Sequence, residues 1–261
     1  MAHNLKQCQI LVRKAAVAGA KALFLPEATD YIASSAAETV SLVKSVQDSE
    51  FVTGLQDEAR KSSIPICVGI HEPAQGGRKV KNTLIWIDQS GGIVQRYQKM
   101  HLFDVDITGG PVLKESNSVE QGMQILPPFK TALGRVGMMI CFDLRFPEIS
   151  LALKRQNAEI LTYPSAFTIP TGKAHWESLL RARAIETQAF VVAAAQVGAH
   201  NEKRVSYGHS MIVNPWGEVL GELGGNSQEP EILTAQIDLD YLRKIRGEMP
   251  LLRRTNVYPE V

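Results

Sequence analysis

The chain has 261 residues, 44% of them hydrophobic, which is enough to bury one large α/β core. Its 28 lysines and arginines nearly balance 27 acidic residues, and a net charge of +1 gives no electrostatic case for nucleic acid or an anionic membrane. Three cysteines without a CxxC pair argue against a disulfide framework or a zinc site and fit a reducing, cytosol-like compartment.

Leu5, Cys8, Leu11, Val12, Ala15 and Ala16 recur at helical spacing, so the chain is expected to open in an amphipathic helix that Gly19 stops. Met1 to Gln7 lack the apolar core of an export signal. The longest apolar stretches, such as Ala189–Ala195, are too short to span a bilayer. Lys21–Leu25 reads as a buried strand ended by Pro26, with Glu27 just beyond. Val40–Ser62 reads as a second helix and Ile64–Ile70 as a strand. Leu84–Asp88 and Ile93–Tyr97 form an expected hairpin across Gln89-Ser90-Gly91-Gly92. Met100–Pro128 has little periodicity and many polar, Gly and Pro residues; a loop of that length inside a domain is usually functional. Strand Arg135–Cys141, helix Pro147–Arg155, strand Glu159–Pro164 and helix Lys173–Gln188 follow. Strands at Phe190–Gln196, His209–Val213 and Val219–Leu223 come next, the last two joined through Asn214-Pro215-Trp216-Gly217. Ile232–Ile237 reads as a last strand before an extended basic tail. No linker and no solenoid-length repeat interrupts this order, which predicts one mixed α/β domain over residues 1–261.

Ligands of α/β proteins bind outside the carboxyl ends of strands. Three reactive side chains occupy such positions here: Glu27, Lys99 and Cys141. Cys141 sits where the apolar run Gly137-Met138-Met139-Ile140 gives way to a polar, proline-started helix. The thiol provides covalent acyl transfer, the carboxylate a general base, and the ammonium stabilisation for thiolate and oxyanion. No histidine is needed. Cys8 and Cys67, without such surroundings, read as small buried hydrophobes. His101 and His209 read as structural hydrogen-bonders, His175-Trp176 as helix packing, and Arg181 and Arg183 as salt-bridge or subunit contacts.

Leu25-Pro26-Glu27, the stretch from Tyr97 through Lys99 to Asp104, and Ile140-Cys141-Phe142-Asp143-Leu144-Arg145-Phe146-Pro147-Glu148 resemble the Glu, Lys and Cys motifs of the nitrilase (carbon–nitrogen hydrolase) superfamily. They come in the same order and span nearly the whole chain. The resemblance implies a four-layer α-β-β-α sandwich, with Cys141 as nucleophile, Glu27 as general base and Lys99 as oxyanion stabiliser. Glu115 corresponds to the family's second, supporting glutamate. Pro164-Ser165-Ala166-Phe167-Thr168 and the run from Thr171 through His175 to Glu186 are similar to the deaminated glutathione amidase branch. That branch implies hydrolysis of an α-ketoglutaryl amide, with no metal or organic cofactor. The substrate's carboxylate calls for a cation, which Arg145 supplies in bidentate form, with hydroxyls from Thr168 and Thr171. Two alternatives stay open: ω-amidase action on α-ketoglutaramate or another small amide, and a catalytically silent binding protein of the same fold. The family further implies a homodimer or larger, with the tail from Glu248 reaching a partner, and a cytoplasmic location beside any longer mitochondrial form. Members normally have a strand ahead of the first helix. This chain starts inside that helix, so its sheet is expected to lack the first family strand.

Overall fold

The computed structural model describes residues 1–106, 112–226 and 229–259. Helix α1 (Ala2–Val17) forms as its spacing predicts, burying Cys8, Val12 and Ala15, and Gly19 follows it at a φ of +72°. The helix predicted over 40–62 is instead two: α2 (Ala36–Leu42) and α3 (Glu50–Ser62). The break has a local cause. Val43 is extended, the Ser45 hydroxyl bonds Asp48, and the Ser49 side chain accepts from Val52 N to start α3. Short polar side chains that satisfy nearby groups compete with helix continuation and favour a new cap. α1 packs on α3.

The first sheet runs β1 (Leu23–Phe24), β2 (Ile66–Pro73), β3 (Val80–Ile87) and β4 (Ile93–Gln98). The pair β1–β2 is parallel; β2–β3 and β3–β4 are antiparallel. Beyond it the long polar segment forms a small hairpin of β5 (Asp104–Asp106) and β6 (Val112–Lys114), and then β7 (Val119–Glu120), which pairs with β3. Residues 107–111 of that segment lie outside the described residues. The second sheet contains β8 (Phe129–Thr131), β9 (Gly134–Met138), β10 (Ile160–Thr162) and β11 (Phe190–Ala193). After a separate hairpin, β12 (Val197–Asn201) and β13 (Arg204–Tyr207), strands β14 (Met211–Val213) and β15 (Val219–Glu222) complete it. Its order is β15-β14-β11-β10-β9-β8.

Alternation along the strands makes the layers. Cys67, Leu84, Trp86 and Tyr97 face a core shared with the second sheet, while Ile66, Val68, Ile85 and Ile87 face α1 and α3. On the far side α4 (Pro147–Arg155) and α5 (Ile169–Thr187) add Ile149, Leu153, Trp176 and Leu180 to that shared core. The layer sequence is therefore helix, sheet, sheet, helix. α4 has the predicted bounds, and α5 begins four residues before the predicted Lys173 because Pro170 suits a first helical turn.

Two further expectations need correction. The strand predicted to include Cys141 ends at Met138, and Cys141 instead opens a 3₁₀ turn, Cys141–Arg145, at a φ of +46°. Ile232–Ile237 alternates in burial like a strand but has no ladder partner among the described residues, so the pattern is present without the pairing. α6 (Leu239–Glu248) follows it, capped by Asp238.

Candidate active site

Each reactive side chain sits just past a strand and is held there by backbone contacts. Pro26 ends the β1 segment, and the turn at Glu27 lies directly on β2: Gly69 N donates to Pro26 O at 3.0 Å and Thr29 N to Gly69 O at 2.8 Å. A Cβ at Gly69 would come within 2.6 Å of Glu27 Cα, so only glycine permits this approach. Lys99 follows β4, and its N–H donates to Asn82 O at 2.9 Å. Gly122 donates to Lys99 O at 2.7 Å, and a Cβ there would meet Gln98 O at 2.3 Å. Neither glycine stood out in the sequence. Glu115 opens a 3₁₀ turn after β6.

Cys141 is pinned by its N–H bond to Pro164 O at 2.9 Å and by Asp143, whose buried carboxylate gathers the surrounding loops. Asp143 accepts from Tyr97 Oη at 2.7 Å, Ile140 N at 2.9 Å and His101 N at 3.0 Å, and it binds His101 Nδ1 at 2.7 Å. These contacts hold Cys141 in a left-handed conformation that a non-glycine residue adopts at a cost of about 1–2 kcal/mol. Strain of this kind is retained where surrounding structure over-determines it.

Glu27, Lys99, Glu115 and Cys141 come together on the wall of a cavity of about 300 Å³, which Arg145, Thr168 and Thr171 also line. Lys99 Nζ donates to Glu27 Oε1 at 2.7 Å and to Glu115 Oε2 at 2.9 Å. Lys99 and Glu27 are almost wholly buried, and two carboxylates share one ammonium, so the group carries a net negative charge that needs further donors. Asn82 Nδ2 donates to Glu27 Oε1 at 2.8 Å and Glu115 Oε1 at 3.0 Å; Phe103 N donates to Glu115 Oε2 at 2.7 Å; Ala166 N donates to Glu27 Oε2 at 3.0 Å. Asn82 was missed by sequence reasoning, although a polar Asn82-Thr83 pair before an apolar strand was a signal. A backbone donor such as Ala166 leaves no signature in composition.

Electrostatics set the resting protonation. Burial pushes the Glu27 carboxyl up, but Lys99 and the donors on its oxygens hold it below the ordinary glutamate value. Burial opposes the Lys99 charge, yet Glu115 and Glu27 raise it well above the usual lysine range. Burial, followed by the Glu27 charge, raises the Cys141 thiol, against the opposing pull of Lys99 and the Ala166 N–H. The resting group is thus a neutral thiol beside an ionised carboxylate and a fixed ammonium. That arrangement is suited to moving a proton from sulfur to Glu27 as the sulfur attacks.

The Arg145 guanidinium is half-buried, 5.7 Å from the Phe142 ring centre and 5.6 Å from that of Phe167. Its two terminal nitrogens lie 3.3 Å from His175 Nδ1, so this histidine meets the site instead of only packing. The Thr168 and Thr171 hydroxyls lie 2.8 Å apart and bond each other. His209 binds Glu222 at 2.5 Å and its carbonyl accepts from Trp176 Nε1. Arg181 and Arg183 pair within α5 with Glu177 and Glu186. Among the described residues, no cluster of three or more His, Cys, Asp or Glu is arranged to hold a metal ion, and no helix is long and apolar enough to cross a membrane.

The family model described as carbon-nitrogen hydrolase matches residues 1–247. A Schizosaccharomyces pombe protein named probable hydrolase nit2 is 48% identical over 99% of this chain and 94% of its own length. The human protein named deaminated glutathione amidase is 46% identical over 98% of this chain and 79% of its own. The crystal structure of the Caenorhabditis elegans NitFhit protein superposes with a TM-score of 0.92 at 40% identity, covering 99% of this chain; the chain spans 63% of that protein. The layered fold and these matches lead to one conclusion: the chain belongs to the carbon-nitrogen hydrolase family.

Proposed function

We propose that this protein is an amidase that hydrolyses the α-ketoglutaryl amide of deaminated glutathione, releasing cysteinylglycine and α-ketoglutarate. The observation that carries the reading is the buried group of thiol, two carboxylates and one ammonium in a single cavity, with Arg145 on the same wall. Relatives bearing the name deaminated glutathione amidase, 40–46% identical over nearly the whole chain, support the choice of substrate; the human one is 46% identical.

The roles follow from geometry and charge. Cys141 Sγ attacks the amide carbon while its proton passes to Glu27. Lys99, held charged by its two carboxylates, stabilises the oxyanion. Glu27 gives the proton to the departing amine, and a thioester on Cys141 remains. Glu27 then takes a proton from water as its oxygen attacks the thioester, and returns that proton to the sulfur as the carboxylate product leaves. Glu115 holds Lys99 in place and charged. Arg145 takes the substrate's α-keto carboxylate, and the Thr168 and Thr171 hydroxyls border it.

Mass spectrometry of protein quenched during turnover tests the nucleophile. A thioester adduct on Cys141 that is absent in Cys141→Ala is expected; amide cleavage unaffected by that substitution would overturn it. Turnover of deaminated glutathione beside α-ketoglutaramate tests the substrate, and a preference for the latter would favour ω-amidase action.

The same reading takes residues 1–261 as one catalytic domain and the molecule as a homodimer or larger. The tail beyond α6 supports assembly, since Leu252 is 85% exposed and Val257 69%. Light scattering after gel filtration would decide; a monomer overturns it. Three free, buried cysteines support a reducing, cytoplasm-like setting.

A further inference from the structure

The cavity carries a second group of polar side chains that the amide chemistry does not use. The tip of the β12–β13 hairpin places Asn201, Lys203 and Arg204 on its wall. Among the described lining residues, Glu27 and Glu115 are the only carboxylates, and both are bound to Lys99. Glu202, between Asn201 and Lys203 in sequence, does not line the cavity. Outside the Lys99 group the wall is therefore cationic, which favours a ligand with more than one negative charge.

Each of the three side chains has unused donor capacity. Asn201 Oδ1 accepts from Lys203 N at 3.0 Å, which fixes the amide, while its buried Nδ2 has no partner. A buried donor left unpaired is costly and points to a ligand atom that completes it. Arg204 is anchored by one nitrogen, which donates to Ala166 O at 2.6 Å; the N–H of that same Ala166 binds Glu27. Its remaining donors have no acidic partner among the described residues, and neither has Lys203.

We infer that Asn201, Lys203 and Arg204 form a second carboxylate subsite, which selects amides whose leaving amine ends in a free carboxylate. The inference rests on the preceding reading, in which Arg145 holds the α-keto carboxylate of the acyl half. A substrate held at both ends keeps its scissile amide over Cys141 with little remaining freedom. Cysteinylglycine ends in such a carboxylate. Ammonia, the leaving group of α-ketoglutaramate, does not, so that substrate leaves the second subsite empty.

The test compares α-ketoglutaryl-cysteinylglycine with the same compound bearing a C-terminal carboxamide. One charge-assisted contact is expected to give wild-type protein about a tenfold higher kcat/KM on the free acid. Lys203→Glu and Asn201→Asp are expected to bring the ratio to one or below, through loss on the acid, and Lys203→Arg to retain it. Equal kcat/KM on acid and carboxamide in wild-type protein would overturn the subsite while leaving the α-ketoglutaryl amidase reading intact. So would variants that slow both substrates by the same factor. Wild-type protein that cleaves neither compound would overturn the reading and the subsite with it.

Discussion

Glutamine at position 27 keeps the shape of the side chain and removes its charge and basicity. Glu27 Oε1 accepts from Lys99 at 2.7 Å and Asn82 at 2.8 Å, and Oε2 accepts from Ala166 N at 3.0 Å. A glutamine has one acceptor oxygen. Turned toward Lys99 and Asn82, it sets its NH₂ against the Ala166 N–H, donor facing donor. Leaving that N–H unpaired costs about 1–3 kcal/mol, and at this size each kcal/mol lowers the melting temperature by about 2–4 °C. Loss of a positioned general base slows catalysis by about 10²–10⁴, or about 3–5 kcal/mol of barrier. The expected outcome for Glu27→Gln is therefore a folded protein with a melting temperature lower by about 2–12 °C and kcat down about a thousandfold. The thiol should move the other way. The Glu27 charge is one cause of the raised Cys141 value, so its removal lets thiolate form at lower pH. Turnover of α-ketoglutaryl-cysteinylglycine, together with thiolate absorbance measured against Cys141→Ser, reads both effects. A variant retaining kcat within tenfold of wild type would refute the role of Glu27.

Lys99→Met leaves Glu27 and Glu115 facing each other without their shared cation, a buried imbalance costing about 3–5 kcal/mol; thermal melting should show the loss, and kcat should fall with it. Because the folded protein holds Glu27 below the ordinary value of 4.5, its ionised form persists to lower pH, and the acid limb of kcat/KM set by this group should lie below pH 4.5. The stability this depressed group contributes is present above the unfolded value and is lost as pH falls through the folded one. The raised Lys99 contributes fully below its ordinary 10.5 and is lost as pH rises through its folded value, so melting curves should show this pair's contribution disappearing at the two extremes. Asp143→Asn gives up an acceptor in a fully buried hub, with an expected loss of about 1–3 kcal/mol and slower alkylation of Cys141 as its turn loosens; unchanged alkylation would remove Asp143 from a positioning role.

The ends of β1 and β4, and the sharp change of character after Ile140, were legible because proline and polarity mark where apolar runs stop. That was enough to single out Glu27, Lys99 and Cys141 before any coordinates. What surrounds them was not legible. Asn82 lay outside the predicted strand, which was read as starting at Leu84, because alternating polar residues at the head of β3 hide its true start at Val80. Ala166 acts through its backbone. The β12–β13 hairpin went unassigned because its strands are short, partly exposed and interrupted by glycine, so Asn201, Lys203 and Arg204 had no visible reason to face the cavity. At 43–49 and at 232–237 periodicity misled in opposite ways. It ran through a helix break made by serine side chains, and it suggested a strand where no neighbour completes a ladder.

The protonated resting state of Cys141 has a consequence for survival under oxidative stress. Peroxides attack thiolates, and a sulfur that burial and a neighbouring carboxylate keep protonated offers them little to react with. On the proposed mechanism Cys141 loses its proton only as an amide carbon arrives, and such a thiol is oxidised more slowly than a permanently ionised cysteine. On that reading, the burial and charge that keep the proton on Cys141 also slow its reaction with peroxides.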